Sequence, residues 1–146
     1  MSNEYETLKL KNQLCFPLYL CAKEVTHRYG EFLDELDLTY TQYVVMMYLW
    51  EIGESNVKAL GDALMIDPST LTPLLKKLES KGYITRNRSE TDERSLMIRL
   101  TDEGDELKKK AVIVPQKMKQ CVGLTEDEGR TLCRLLTKVL ANIEKE

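Results

Sequence analysis

One stretch near the middle of the chain, Met65 to Gly82, narrows the possible folds more than any other. Met65, Ile66 and Asp67 leave room only for a tight connection. Asp67 is a good helix cap, and Pro68 falls at the first helical position, where a missing amide costs nothing. The helix that follows runs to about Lys81 and stops at Gly82. Upstream, Asn56 caps a short helix holding Val57, Leu60, Ala63 and Leu64. Downstream, Tyr83–Arg88 and Leu96–Leu100 read as paired strands. Leu96, Ile98 and Leu100 alternate with Met97 and Arg99, and the link Ser89–Ser95 is wholly polar.

Helix, tight turn, helix and hairpin in that order predict a winged helix-turn-helix. The fold class is therefore mainly α with a small β-hairpin wing. The flanks are helical too. Leu8 to about Tyr29 reads as a first helix with Leu14, Leu18, Cys21, Ala22, Val25 and Tyr29 on one stripe, and Pro17 predicts a bend near Cys15. A short piece, Glu31–Leu36, follows Gly30, and Thr39 or Thr41 caps an apolar helix through Trp50. Thr101 caps a long helix that reaches Cys121 with a bend at Pro115, and Thr125 with Glu128 makes a capping box for the last one. In that last helix Leu132, Leu136, Val139, Leu140 and Ile143 form one apolar stripe. Apolar stripes at both ends predict a two-fold dimer. With no internal repeat or linker, the chain reads as a single domain over residues 1–146. Residues 8–36 and 102–146 supply its dimerisation helices, and 41–100 its helix-turn-helix module.

The helix after Asp67 divides its faces sharply. At about 100° per residue, Leu71, Leu74, Leu75 and Leu78 share one arc, while Ser69, Thr70, Thr72, Pro73, Lys76 and Lys77 share the opposite side. Hydroxyls and ammoniums without a carboxylate suit a major-groove reader, although an ordinary amphipathic surface helix shows the same division. Local charge favours the reader. The whole chain carries a net charge of −3, yet residues 58–100 carry +2 and the remainder −5. In the hairpin tip Asp92 and Arg94 lie two apart, so the carboxylate can hold the guanidinium extended for a narrow minor groove; a weak surface ion pair is the plainer alternative.

Four cysteines at these spacings match no disulfide scaffold or zinc motif, and His27 is the single histidine, so neither metal nor cofactor is expected. Met1–Glu6 resembles no secretion signal, and the longest apolar run, Tyr43–Trp50, is far short of the ~20 residues of a membrane span. The expectation is a cytoplasmic protein, with no membrane partner, whose thiols start reduced.

The segment Leu10-Lys-Asn-Gln-Leu-Cys15-Phe-Pro-Leu-Tyr19 resembles the reactive-cysteine segment of MarR-family regulators of the organic hydroperoxide resistance (OhrR) type. Tyr40-Thr-Gln-Tyr43, the run Asp67–Leu78 and Asp92-Glu-Arg-Ser95 resemble later segments of that group in the same order, so the likeness covers nearly the whole chain. It implies a homodimer that binds a palindromic operator in double-stranded DNA and represses peroxide-defence genes. The dimer leaves when an organic hydroperoxide oxidises one cysteine. Carried over, that redox-sensing cysteine is Cys15. The tyrosines that screen it are Tyr19, with Tyr29 and Tyr40 from the second subunit. The DNA contacts are Ser69, Thr70, Thr72, Pro73 and Lys76 in the helix, and Arg86, Arg88, Asp92 and Arg94 in the wing.

Local chemistry agrees with Cys15. In a helix starting at Leu8, Lys11 lies one turn before it and Tyr19 one turn after, and both favour a thiolate. Cys21 instead has Glu24 and Val25 at those distances, and Cys133 borders the last helix's apolar stripe. Cys15 and Cys21 are separated by about 9 Å of helical rise, too far for a disulfide. Cys121, near the junction before the last helix, is the candidate resolving thiol across a dimer; a small cellular thiol is the alternative. Two further readings remain open. One is a MarR-type repressor induced by a phenolic ligand among the tyrosines. The other is a thiol peroxidase, although the chain has no phosphate loop, metal set or Cys-x-x-Cys pair.

Overall fold

The computed structural model describes residues 4–91 and 95–144. It divides into two compact units, Met1–Val114 and Pro115–Glu146. The first begins with two 3-10 turns, Glu6–Leu8 and Leu10–Asn12, before helix α1 (Cys15–Leu33). The helix expected from Leu8 therefore starts seven residues later. Gln13 is extended, and Pro17 lies in the first turn of α1, where its missing amide had no intrahelical acceptor to lose. The expected bend is thus a helix start. Gly30 does not break α1 either: the helix runs through it to Leu33, and a 3-10 turn, Asp34–Leu36, follows.

Helix α2 (Tyr40–Ile52) begins with a full capping box. The Gln42 amide donates to Thr39 Oγ1 at 3.3 Å, and the Thr39 amide donates to Gln42 Oε1 at 3.0 Å. The three-residue strand β1 (Glu54–Asn56) was not expected; it is too short to show alternation. Asn56 then caps α3 (Val57–Leu64), and Met65 turns the chain with a left-handed φ of 54°. Helix α4 (Pro68–Ser80) is followed by strands β2 (Ile84–Arg88) and β3 (Leu96–Leu100). The sheet order is β1–β3–β2, antiparallel throughout, with Ser55 opposite Ile98 and Arg86 also opposite Ile98 from the other side.

The core of this unit brings together Leu33, Leu36, Tyr43, Val45, Met46, Leu49, Leu60, Leu71, Leu75, Leu78, Ile84 and Ile98. All four leucines expected on the inner arc of α4 are buried. Thr101 caps α5 (Asp102–Glu106), and α6 (Lys108–Ala111) and α7 (Ile113–Val122) continue the path. The single long helix expected here is interrupted at Leu107 and Val112, and Pro115 again sits in a first turn. In the second unit, Thr125 and Glu128 form the expected capping box at the start of α8 (Glu126–Glu144), with bonds of 3.0 and 3.2 Å. Among the described residues no helix is long and apolar enough to cross a membrane.

Candidate nucleic-acid interface and thiol site

Helix α4 presents its outer face as a consequence of how it starts. Asp67 caps it by accepting the Thr70 amide at 3.1 Å and the hydroxyls of Ser69 and Thr70. These bonds, Ser69 first, hold the Asp67 carboxyl below its usual pKa range, so the cap stays ionised. Both hydroxyls keep acceptor capacity while donating to Asp67. Ser69, Thr70, Pro73, Lys76 and Lys77 are exposed, and Thr72 is half-buried. Pro73 lacks the amide that would bond the Ser69 carbonyl, so backbone acceptor capacity is added to the same face.

The wing hairpin places Arg88 on the exposed end of β2. Arg86 is different. Its guanidinium holds Glu79, in the last turn of α4, through Nε at 3.2 Å and Nη2 at 3.1 Å. The expected wing pair Asp92 and Arg94 lies outside the described residues. Nothing in the chain's periodicity signals Glu79 as a partner, because the six intervening residues cross a helix end and a turn. A second cross-link was equally hidden. Lys81 donates to the Asp37 carbonyl and, at 3.2 Å, to Gln42 Oε1, tying the end of α4 to the α1–α2 corner.

Cys15 is the first residue of α1 and is exposed, as are Cys21, Cys121 and Cys133. The first turn of α1 holds no acidic side chain. Lys11 is not one helical turn before Cys15, since the segment between them is a 3-10 turn and an extended residue; that part of the expected electrostatics does not survive. Tyr19, four residues on, shares the Cys15 face of the helix and is 63% exposed.

Tyr29 and Tyr40 come together, with ring centroids 4.8 Å apart, and Tyr43 joins them at 5.8 and 6.5 Å. Tyr29 is fourteen residues from Cys15 on one helix, about 21 Å of rise, so within one chain this cluster cannot screen that sulfur. Burial first, then Tyr40, raises the Tyr29 phenol. Burial first, then Tyr29 and Tyr40, pushes Tyr43 up to about 12. Tyr29 and Tyr43 therefore both hold their phenolic protons more tightly than a free tyrosine does.

Residues 28–111 match the family model of the SarA/Rot transcriptional regulators. An organic hydroperoxide resistance transcriptional regulator of Bacillus subtilis is 44% identical over 144 residues, covering 99% of this chain and 96% of that protein. This chain is a MarR-family transcriptional regulator of the OhrR type. Solved relatives agree with the assignment. AbfR, a protein known from Staphylococcus epidermidis and solved in its reduced form bound to DNA, is 32% identical with a TM-score of 0.80, covering 97% of this chain and 99% of that one. MarR C80S from E. coli, solved with operator DNA, is 27% identical with a TM-score of 0.81, covering 95% and 99%. The MarR-type winged helix is therefore the frame on which the α4 face and Cys15 are displayed.

Proposed function

We propose that this MarR-type chain is a DNA-binding regulator, acting as a homodimer on a palindromic operator, that is released when an organic hydroperoxide oxidises Cys15. The observation that carries the thiol half is the position of Cys15: exposed, at the first residue of a helix, with no acid in its first turn. The thiolate attacks one peroxide oxygen, the O–O bond breaks, an alcohol leaves after taking up a proton, and the sulfur becomes a sulfenic acid. Tyr19 stands beside it, and Tyr29 and Tyr40 of a second copy are the phenols that screen it. Cys121, exposed near the end of α7, is the resolving thiol across the dimer.

Reading belongs to α4. Ser69, Thr70, Thr72, Pro73 and Lys76 face the major groove, and Arg88 on β2 contacts the duplex from the wing. Cys15 is used once per release and restored by reductant, so the chain regulates by binding and is not an enzyme.

The deciding experiment is fluorescence anisotropy on DNA from upstream of the chain's own gene, at fixed salt. Wild type and Cys15→Ser are expected to bind alike, and cumene hydroperoxide to release only the wild type. Release of both would move the sensor to another residue.

A further inference from the structure

β2 is an outer strand of the sheet, and such a strand leaves a row of amides without a neighbouring ladder. The Arg86 amide is satisfied by a side chain instead: it donates to Glu79 Oε2 at 3.2 Å. The other oxygen of the same carboxylate accepts from Arg86 Nε at 3.2 Å and Nη2 at 3.1 Å. Three bonds from one residue thus close on one carboxylate, and the Arg86 side chain is only 20% exposed. We propose that this Glu79–Arg86 clamp fixes the angle between the reading helix and the wing, so that both are positioning residues for DNA binding and Arg86 acts through Glu79 rather than on phosphate. The inference rests on the DNA-binding reading above.

Two arguments carry it. A guanidinium that donates from both Nε and Nη2 to one carboxylate oxygen must break two charge-assisted bonds before it can reach DNA. A helix and a wing that engage one duplex together also bind better when their relative orientation is set beforehand. The clamp makes a prediction opposite to simple charge counting. Glu79 is an acid at the end of the reading helix, so removing its charge near a polyanion should tighten binding. If the carboxylate orders the wing, removing it weakens binding.

The test uses the full-length protein and upstream DNA over a series of salt concentrations, with Glu79→Gln, Arg86→Gln, the double variant, and Lys76→Gln as a reference. Glu79→Gln and Arg86→Gln are each expected to weaken binding about fivefold, and the double variant to be no worse than either. The slope of log affinity against log salt should stay at the wild-type value in Arg86→Gln. A lost phosphate contact would instead lower it by about 0.9, the change expected of Lys76→Gln. Hydrogen exchange supplies a readout independent of DNA: Glu79→Gln should speed exchange of the Arg86 amide while the amides of Leu75 and Leu78 stay protected. Tighter or unchanged binding by Glu79→Gln, a lowered salt slope in Arg86→Gln, or unchanged protection of the Arg86 amide would each overturn the clamp. A wild type that binds no DNA would instead overturn the reading on which it rests, and the exchange result would still judge the contact itself.

Discussion

Tyr43 is only 2% exposed, and its ring centroid lies 5.8 Å from Tyr29 and 6.5 Å from both Tyr40 and Trp50. Burial and the two neighbouring phenols hold its proton to about pH 12, against an ordinary value of 10.0. The sign follows from the raised value. The folded state binds this proton more tightly than the unfolded state, so the contribution is complete below pH 10 and disappears as pH rises through 12. The melting temperature should therefore fall across that window, and Tyr43→Phe should flatten the fall; an unchanged profile would assign alkaline unfolding elsewhere. Gly104 sets a second limit at this scale. A Cβ there would stand 2.0 Å from the Tyr83 carbonyl oxygen, while the Gly104 carbonyl accepts the Trp50 indole N–H at 2.8 Å. Gly104→Ala should cost at least about 2 kcal/mol in urea unfolding, because the clash is with backbone and no rotamer relieves it. The sequence singles out Tyr29, Tyr40 and Tyr43 together as an aromatic lining, but not the distances between their rings, since those depend on the angle between two helices.

The caps are the elements' most local feature, and they were the most readable. Thr39 with Gln42, Asn56, Asp67, Thr101, and Thr125 with Glu128 all cap the helices that follow them. Each such motif spans four residues or fewer, so no tertiary contact is needed to decide it. The start of α1 was misread for the converse reason. Leu8 and Leu10 stand at helical spacing from the true stripe, and only backbone geometry separates 3-10 turns from α-helix. β1 was missed because three residues cannot alternate convincingly; its pairing with β3 comes from the fold, with Glu54 holding Arg99 at 2.5 Å. At this scale the Asp67 cap makes a prediction for the reading helix. Its depressed carboxyl contributes stability above about pH 3.8 that is lost as pH falls through its lower folded value. Asp67→Ala should speed exchange of the Thr70 amide and weaken DNA binding, even though the substitution removes a negative charge beside the operator. Unchanged Thr70 protection would show that Pro68 starts the helix unaided.

At the scale of the whole molecule, the two compact units have different requirements. The main apolar cluster described above lies in Met1–Val114, with Leu33 from α1, Leu78 from α4, Ile98 from β3 and Val114 from α7. The outer ends of the chain are different. Leu132, Leu135, Val139, Leu140 and Ile143 of α8 are exposed, as are Leu8, Leu10, Leu14 and Leu18 near the N-terminus. So many large apolar side chains without cover are unusual on a protein that works as a monomer. A second copy is the occupant that the proposed palindromic operator requires, because one reading helix addresses one half-site and two must be held about a helical turn apart. Leu132→Lys with Leu140→Lys should therefore convert a dimer to a monomer in sedimentation velocity and reduce operator affinity by orders of magnitude. Hydrogen-exchange protection in α2, α4 and β3 should be kept, because the core cluster those elements share lies in the first unit. Loss of that protection together with the dimer would mean that the first unit cannot stand without a partner, and that the thiol switch acts on folding rather than on the spacing of two readers.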